Sequence, residues 1–299
     1  MFKGFSHSVM GASHEKKGIV CQDSSAFEVG TGYAVAVVAD GHGSKKHFRS
    51  DVGSKAATEA AVETIRTFFE DPDAFDRDFK ENHKRIIEQI EKQIIYSWNK
   101  KVLGHLKDHP VTAKERSKFE YNELDEIPYE SYYGTTLVVA VMCRGYSFGF
   151  QIGDGSLVAV FEDGETSMIM GYEEANPANI TASMCNANAI TMFDSFYVDD
   201  KQMVAIIVST DGLYTSFGSD NDFLDYHTIV TGQLIDLDAL LPSLKNNIVK
   251  RSHFGTEDDI SVSCVYNADL IEEKLDVIKA KIADNKRLAA IRRSNVMRT

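Results

Sequence analysis

Apolar, β-branched segments of strand length recur along this chain, and an aspartate beside a glycine stands at the end of several of them. The clearest segment, Tyr33–Ala39, runs directly into Asp40-Gly41. Such short apolar runs are typical of buried strands rather than of helices. Acids mark three more strand ends, in Asp154-Gly155, in Asp211-Gly212 and in Glu257-Asp258-Asp259, which precedes a strand. The chain is therefore constrained to a core of buried strands whose ends carry acids.

The predicted elements come in blocks. Strands are predicted over residues 2–10, 24–29, 33–40, 135–143, 146–152, 156–162, 203–210 and 260–266. Helical periodicity begins near residue 50, resumes after a break at 71–73, and returns over 220–250 and 270–291, whereas 107–130 is interpreted as an exposed connection. Turn residues predict antiparallel hairpins at 144–145, 154–155 and 163–164. This order lacks strict βαβ alternation and predicts a single-domain α+β fold.

Charge and composition exclude several classes of protein. The net charge of −13 argues against nucleic acid as the main partner. No segment approaches the ~18 uninterrupted apolar residues of a membrane span, and the N-terminus has no signal-peptide core. We therefore expect a cytoplasmic protein with no membrane partner. The four cysteines lie far apart without a CxxC pair, which argues against a disulfide scaffold or a zinc site.

The acids at the strand ends predict a metal site if those ends converge. One Asp-Gly pair alone is usually only a turn. Several carboxylates in one place, however, repel one another unless a cation compensates them, and Mg²⁺ and Mn²⁺ prefer oxygen ligands. A glycine beside the acid lets a backbone carbonyl approach the ion closely. An EF-hand loop starting at Asp40 is excluded, because Ser44 and Lys45 stand where that loop needs an acid or amide and then glycine.

Five segments, taken in order, resemble the protein phosphatase 2C family. They are VVADGHGS, YYGTTLVVAVM, FGFQIGDGSLV, IIVSTDGLYTSF and EDDISVSCV, and GASHEKKGIVCQDSS adds a sixth. The resemblance spans about residues 5–266 and is greater to the bacterial branch than to the animal enzymes. It implies an αββα sandwich, with two antiparallel sheets flanked by helix pairs. We expect a catalytic domain over 1–270 and a C-terminal amphipathic helix over 271–299, packed on the domain or extending it.

The resemblance also implies a metal-binding role for each acid. Asp40 would bridge two Mn²⁺ or Mg²⁺ ions, and the carbonyl of Gly41 would bind the second ion. Asp211 and Asp258 would complete the protein ligands of the first ion. Asp23, in the place of the family's acidic pair, would support the second ion through water.

Three further expectations concern a third ion and the substrate. Asp154 would hold a third, weaker ion, as in bacterial relatives. His42 would lie beside the leaving-group oxygen as a catalytic residue, although a histidine at a strand end is often only structural. Residues 171–201 match the family's variable flap, which touches the substrate.

The chain departs from the family pattern at several positions. The family's phosphate-gripping arginine is absent, so Lys16 or Lys17 would replace it as a point charge without the bidentate fork of arginine. Gln22 replaces a glutamate found in many members, and Gly155-Ser156 stands where Asp-Ser-Arg is common. Asp259 stands where asparagine is common and is expected to support the metal ligands rather than to bind an ion.

Together these residues predict a metal-dependent phosphatase that acts on phosphoserine and phosphothreonine in proteins. Two ions would neutralise the phosphoryl oxygens and lower the pKa of a bridging water, so that hydroxide attacks phosphorus in line. No cysteine has an arginine six residues later, which excludes the cysteine-phosphatase mechanism. Two alternatives stay open: a catalytically weak phosphatase fold that binds or regulates a partner, and a hydrolase of small phosphate esters. We expect a monomer that acts on a phosphorylated protein substrate.

Overall fold

The structure, a computed structural model, describes residues 1–171 and 181–296. Its strands are β1 (Phe2–Val9), β2 (Ser24–Val29), β3 (Tyr33–Ala39), β4 (Leu137–Cys143), β5 (Tyr146–Ile152), β6 (Ser156–Phe161), β7 (Thr166–Met170), β8 (Asp194–Val198), β9 (Met203–Ser209) and β10 (Ile260–Asn267). Its α-helices are α1 (Ala12–Lys17), α2 (Ser50–Phe68), α3 (Pro72–Asp108), α4 (Ala113–Arg116), α5 (Asp211–Tyr214), α6 (Asp220–Gln233), α7 (Leu237–Arg251) and α8 (Ala268–Val296). No helix in these residues is long and apolar enough to cross a membrane.

Two five-stranded antiparallel sheets form the centre of the fold. One has the order β1-β10-β9-β6-β7 and the other the order β2-β3-β4-β5-β8. Helices α2 and α3 pack on the second sheet, and α6, α7 and α8 pack on the first. Three apolar cores result, one between the sheets and one under each helical layer. The predicted αββα sandwich is confirmed.

The central strands are covered on both faces, which explains why most of their residues are apolar. Every residue of β3, β4, β5, β6 and β9 is buried. In β3, for example, Val37 packs under the α2–α3 layer, while its neighbour Val38 packs against the other sheet. A strand with one solvent-facing side would alternate apolar and polar residues, and β3 and β4 do not.

The helical stripe predicted in the middle of the chain is confirmed. Helix α3 begins at Pro72, where the Asp71 side chain accepts a hydrogen bond from the backbone N–H of Ala74 at 3.0 Å. Its buried face carries the predicted residues Ile87, Ile90, Ile94, Trp98 and Val102. Asp71-Pro72 thus separates two helices by capping the second one.

The charged connection after α3 is exposed as predicted, but a buried arginine holds it in place. The guanidinium of Arg49 is paired with Glu115, with Nε 2.8 Å from Oε1, and donates to the carbonyl of His109 at 2.7 Å. Glu123, in the same connection, is paired with Lys45, which precedes α2, at an Nζ–Oε2 distance of 2.6 Å. These contacts fix the segment beside the start of α2.

The C-terminal helical regions also lie where predicted. Helices α6 and α7 occupy the 220–250 region, and α8 begins at Ala268. Ile271 and Ile278 of α8 are fully buried in the core under the first sheet. Residues 172–180 of the predicted flap and 297–299 of the predicted C-terminal helix lie outside the described residues. The described part of the flap contains β8, an edge strand paired with β5.

The predicted hairpin at Asp154-Gly155 is wrong. Strands β4 and β5, and likewise β6 and β7, do form hairpins, but β5 and β6 belong to different sheets. The Asp154 turn therefore carries the chain from one sheet to the other. A Cβ on Gly155 would lie 2.6 Å from Cγ2 of Val138 and 2.9 Å from the carbonyl oxygen of Ser209, so the turn needs glycine where it passes between the sheets.

Candidate active site

The loops at one end of the sandwich bring the predicted acids together. Ser24 pairs with Ala39, so the start of β2 lies beside the end of β3. Ser209 pairs with both Ser156 and Val262, so the end of β9 lies beside the starts of β6 and β10. The five acids flank these strand ends: Asp23 before β2, Asp40 after β3, Asp154 before β6, Asp211 after β9 and Asp258 before β10.

A hydrogen bond between the two sheets closes this end of the sandwich. The Thr210 hydroxyl donates to Oδ2 of Asp23 at 2.7 Å. The same hydroxyl accepts a hydrogen bond from the backbone N–H of Ser261 at 2.9 Å. Because Thr210 leaves one sheet and Asp23 enters the other, these bonds hold the acid-bearing loops at a fixed separation.

Burial and mutual repulsion raise the pKa values of the acids. For Asp23 and Asp40, burial and then the charges of neighbouring acids hold the pKa well above the usual range. Burial and the charge of Asp154 raise the pKa of Asp211 to about 6. Burial also raises the pKa of Asp258, the most exposed of the five. These four acids each sense the charge of a neighbouring acid, so the folded chain holds a repulsion that a cation would relieve.

No ion pair among the described residues balances this negative charge. None of the five acids takes part in an ion pair there. Oδ1 of Asp211 is buried and accepts no hydrogen bond from an N–H or hydroxyl group, and the Asp211 side chain lies within hydrogen-bonding reach of the Asp40 carboxyl group. An oxygen-only donor set with such a carboxylate oxygen fits a hard divalent cation.

The described side chains do not by themselves enclose an ion. They contain no group of three Asp, Glu, His or Cys residues already arranged to hold a metal. Backbone carbonyls and water would have to complete the coordination. This is the usual condition for Mg²⁺, which keeps several waters in protein sites.

The backbone around Asp40 is held by two buried threonines. The Asp40 N–H donates to Oγ1 of Thr136 at 3.0 Å, and its carbonyl accepts from the Thr135 hydroxyl at 2.8 Å. The chain then passes through a narrow gap, because a Cβ on Gly41 would lie 2.4 Å from the carbonyl oxygen of Gln22. The close approach requires glycine at this position.

His42 lines an open cleft of about 350 Å³ beside the acids. Its ring centroid lies 4.9 Å from that of His47. Burial, and then the charges of His47 and Lys46, lower the pKa of His42 to about 4. The imidazole is therefore neutral at pH 7 in the free protein, and a proton-donating role requires a bound phosphoryl dianion to raise this pKa.

Asp154 is connected to the described part of the flap. Its Oδ2 accepts a hydrogen bond from the Thr181 hydroxyl at 2.9 Å. Its charge is the largest charge effect on the pKa of Asp211, so its carboxylate faces the cluster. Asp154 thus lies between the other acids and the segment that follows residue 180.

The two lysines predicted to grip phosphate lie on the Asp258 side of the site. Nζ of Lys16 is 2.9 Å from Oε1 of Glu257, and the Lys16 side chain is 66% exposed. Lys17 is also exposed, and its charge opposes the rise in the pKa of Asp258. Lys16 therefore already has an anionic partner, whereas Lys17 faces the acids.

The carboxylate of Asp259 is occupied by contacts that stabilise the fold. Its oxygens accept hydrogen bonds from the backbone N–H groups of Gly11 and Gln22, both at 2.6 Å, and lie 3.0 Å from Nδ1 of His14. These bonds fasten both ends of the segment containing α1 to the start of β10. Asp259 supports the site by holding Asp23, which follows Gln22, in place.

The adjacent acids Asp258 and Asp259 should respond in opposite ways to the same substitution. Asp259→Asn puts an amide NH₂ where a backbone N–H now donates, so we expect the free energy of unfolding to fall by about 1–3 kcal/mol. Asp258→Asn keeps the oxygen that accepts the Asp259 N–H at 2.9 Å, and should leave stability in chelator unchanged while lowering turnover. Urea unfolding and phosphatase assays of both variants test this. Equal stability of the two would contradict the structural role of Asp259.

Sequence reasoning missed the residues that position the acids. Thr135, Thr136 and Thr210 all lie at an end of a predicted strand, and none was assigned a role. Thr210 is directly adjacent to Asp211, and a threonine directly before an acid at a strand end is a signal in the sequence that could have indicated a positioning residue. The bonds to Asp259 join residues more than 230 positions apart, so no local pattern shows them.

Comparison with solved structures identifies similar folds. The serine/threonine phosphatase Stp1 of Staphylococcus aureus aligns over 89% of this chain and 95% of its own, with a TM-score of 0.58 and 14% identity. PppA of Pseudomonas aeruginosa aligns over 89% and 97%, with a TM-score of 0.55 and 17% identity. PstP/Ppp of Mycobacterium tuberculosis aligns over 89% and 98%, with a TM-score of 0.52 and 13% identity. At these identities the likeness shows the fold alone.

The sequence itself shows the family. No curated protein sequence matches the chain. The sequence model of protein phosphatase 2C, however, matches residues 10–245, which include β2 to β9 and the loops that carry Asp23, Asp40, Asp154 and Asp211. This match covers well over half of the chain, and the chain belongs to the protein phosphatase 2C family.

Proposed function

We propose that this chain is a metal-dependent phosphatase that removes phosphate from phosphoserine and phosphothreonine in proteins. The observation that carries the proposal is the buried acid cluster, in which Asp40 and Asp211 have raised pKa values and one Asp211 oxygen accepts no hydrogen bond from an N–H or hydroxyl group. Membership of the protein phosphatase 2C family supports phosphatase activity. The acid cluster supports its dependence on divalent cations.

The residues that would hold Mn²⁺ or Mg²⁺ are those assigned from the sequence. Asp40 would contact two ions, the Gly41 carbonyl the second, and Asp211 and Asp258 the first. Asp23 would act through water, because its Oδ2 already accepts the Thr210 hydroxyl. Two such ions, when bound, neutralise phosphoryl oxygens and make a hydroxide nucleophile available near neutral pH.

A third, weaker ion would be held by Asp154. Its carboxylate faces Asp211 but also accepts the Thr181 hydroxyl, so part of its binding capacity is already used. This arrangement supports a site that fills after the other two.

The chain's own residues would orient the substrate and handle its leaving group. The acid cluster would hold the phosphoryl group, and the neighbouring cleft has room for the rest of the substrate. His42 lines that cleft, so it would hold or donate a proton at the serine or threonine oxygen that departs. Lys17, the exposed cation on the Asp258 side, would replace the missing arginine more readily than Lys16, which is paired with Glu257.

One observation keeps a binding or regulatory role as the second candidate. Two lysines stand near the family's arginine position: Lys16 is paired with Glu257, and Lys17 is exposed. Either lysine would hold phosphate less firmly than a bidentate arginine does. Turnover of a phosphopeptide and of p-nitrophenyl phosphate with Mn²⁺ separates the candidates. Activity on neither supports the binding role, and activity on the small ester alone supports a small-ester hydrolase.

Removing divalent cations should abolish turnover and lower the melting temperature. The cation is expected both to activate the water that attacks phosphorus and to relieve the repulsion among the acids. Its binding to the folded state therefore adds stability. The measurement is phosphopeptide hydrolysis and thermal unfolding in excess chelator, and again after Mn²⁺ is restored. Full activity in excess chelator would rule out the metal mechanism.

A further inference from the structure

The cleft beside His42 is polar, and no acid lines it among the residues that the structure describes. One wall is formed by residues between 42 and 47, and the other by residues between 181 and 186. Within residues 1–171 and 181–296, its lining contains imidazole, hydroxyl, amide and thiol groups and one ammonium, that of Lys46, but no carboxylate. This composition contrasts with a chain whose net charge is −13 and with the acid cluster next to it.

Both walls are fixed to the backbone that positions the acids. On the far wall, the Ser183 hydroxyl and the Met184 N–H donate to the carbonyl of Thr135 at 3.1 and 2.9 Å. The Thr135 hydroxyl in turn donates to the carbonyl of Asp40 at 2.8 Å. The near wall begins at His42, two residues after Asp40. A phosphoryl group held at the acids would therefore leave the rest of its substrate at the mouth of this cleft.

Two adjacent lysines on the near wall differ in their partners. Nζ of Lys45 is 2.6 Å from Oε2 of Glu123 and lies over the ring of Phe119, so its charge is engaged. Lys46 takes part in no ion pair within residues 1–171 and 181–296, and its side chain is exposed at the cleft. Its charge also reaches the rings of His42 and His47. Lys46 is thus a cation at the cleft whose charge the described residues do not neutralise.

We infer that this cleft binds the peptide segment next to the phosphorylated residue and that Lys46 selects substrates with an acidic side chain there. The inference rests on the proposed phosphatase function. The volume of about 350 Å³ is at the lower end of the range of ligand clefts, ~300–1,000 Å³, and suits a few side chains rather than a domain. A basic residue beside the phosphorylated one would face Lys46 and be repelled. Lys46 would therefore favour substrates with an acidic flanking residue and disfavour those with a basic one.

The test compares matched phosphoserine peptides that carry Glu, Gln or Lys next to the phosphorylated residue, on one side or the other. With Mn²⁺ present, we expect wild type to show kcat/KM about threefold or more higher for Glu than for Gln on one side. Lys46→Gln should bring this ratio to about one, and Lys46→Glu should reverse it in favour of Lys. Lys45→Gln, the matched control, should keep the wild-type ratio. Melting curves confirm that all variants fold.

Two results would overturn the inference. One is an unchanged Glu-to-Gln ratio in Lys46→Gln. The other is an equal loss on all peptides and on p-nitrophenyl phosphate, which would place Lys46 at the phosphoryl group instead. If wild type hydrolyses no phosphopeptide with Mn²⁺, the proposed function fails by itself. Fluorescence anisotropy of the same labelled peptides then still tests the inference, since acidic peptides must bind more tightly to wild type than to Lys46→Gln.

Discussion

Asp40→Asn and Asp211→Asn should each remove nearly all turnover while the protein still folds. Each substitution removes one negative charge, at almost constant shape, from a site that has to balance two dications. Asp40 follows the last residue of β3 and Asp211 begins α5, so neither side chain is part of an apolar core. The measurement is kcat with a phosphopeptide at saturating Mn²⁺. A rate above about a tenth of wild type, a barrier change under ~1.4 kcal/mol, would contradict the ligand assignment.

The stability of Asp40→Asn without metal provides an independent check. The pKa of Asp40 is raised in the folded protein, so at neutral pH the unfolded chain has released a proton that the folded chain tends to keep. Ionising this group therefore costs stability as pH rises above its unfolded pKa of ~3.9. A neutral asparagine avoids that cost, so in chelator the variant should melt at the wild-type temperature or higher. Added Mn²⁺ should stabilise wild type much more than the variant.

Two controls delimit this result. Asp108→Asn, an exposed position at the end of α3, should change neither turnover nor the response to Mn²⁺. Asp154→Asn should be milder than the other two, because its carboxylate already accepts the Thr181 hydroxyl and its ion is expected to be weakly held. Loss of folding in Asp40→Asn would mean that the carboxylate serves the fold and not an ion.

The parts of the fold that could be predicted from sequence are those buried on both faces. In β3 and β4, each residue is apolar because each side meets another layer, so the pattern needs no knowledge of the rest of the chain. Strands β7 and β8 escaped prediction for the opposite reason. Both are edge strands of five partly or fully exposed residues, TSMIM and DSFYV, with no consistent period.

Local turn chemistry could not distinguish a hairpin from a crossing between sheets. Asp163-Gly164 and Asp154-Gly155 look alike in sequence, yet only the first joins paired strands. The difference lies in Val138 and Ser209, which contact Gly155 from two different sheets. The six-residue helix α1 was missed for a related reason, because bonds to Asp259 fix it and no apolar periodicity marks it.

Contacts between residues far apart in sequence also limited the prediction of the site. Acids at strand ends pointed to loops that the fold brings together, since a strand end and its side chain are local features. Which of two adjacent acids faces the cluster is not local. The Asp259 carboxylate accepts hydrogen bonds from the N–H groups of Gly11 and Gln22. Asp258 is therefore the acid of this pair whose carboxylate is available to the cluster. Likewise, Lys16 looked available in sequence, and only the fold places Glu257 beside it.

The substitution His42→Ala should slow hydrolysis of a phosphopeptide about 10²-fold or more, and p-nitrophenyl phosphate much less. A serine alkoxide is a very poor leaving group and needs a proton, and general acid catalysis contributes about 10²–10⁴-fold in such cases. p-Nitrophenolate leaves unaided near neutral pH, so the loss of a proton donor barely affects it. The measurement is kcat for both substrates at saturating Mn²⁺, beside a melting curve and a Mn²⁺ titration.

The two roles of His42 predict different patterns across these measurements. As the proton donor, His42 would need its pKa of about 4 to rise when a phosphoryl dianion binds beside it, so its effect appears only with a substrate that requires protonation. As a structural residue, its ring would serve mainly to pack against His47, 4.9 Å away between centroids, at the turn after Asp40. Removing it would then lower the melting temperature and slow both substrates alike. Equal losses on the two substrates would therefore assign His42 to the fold.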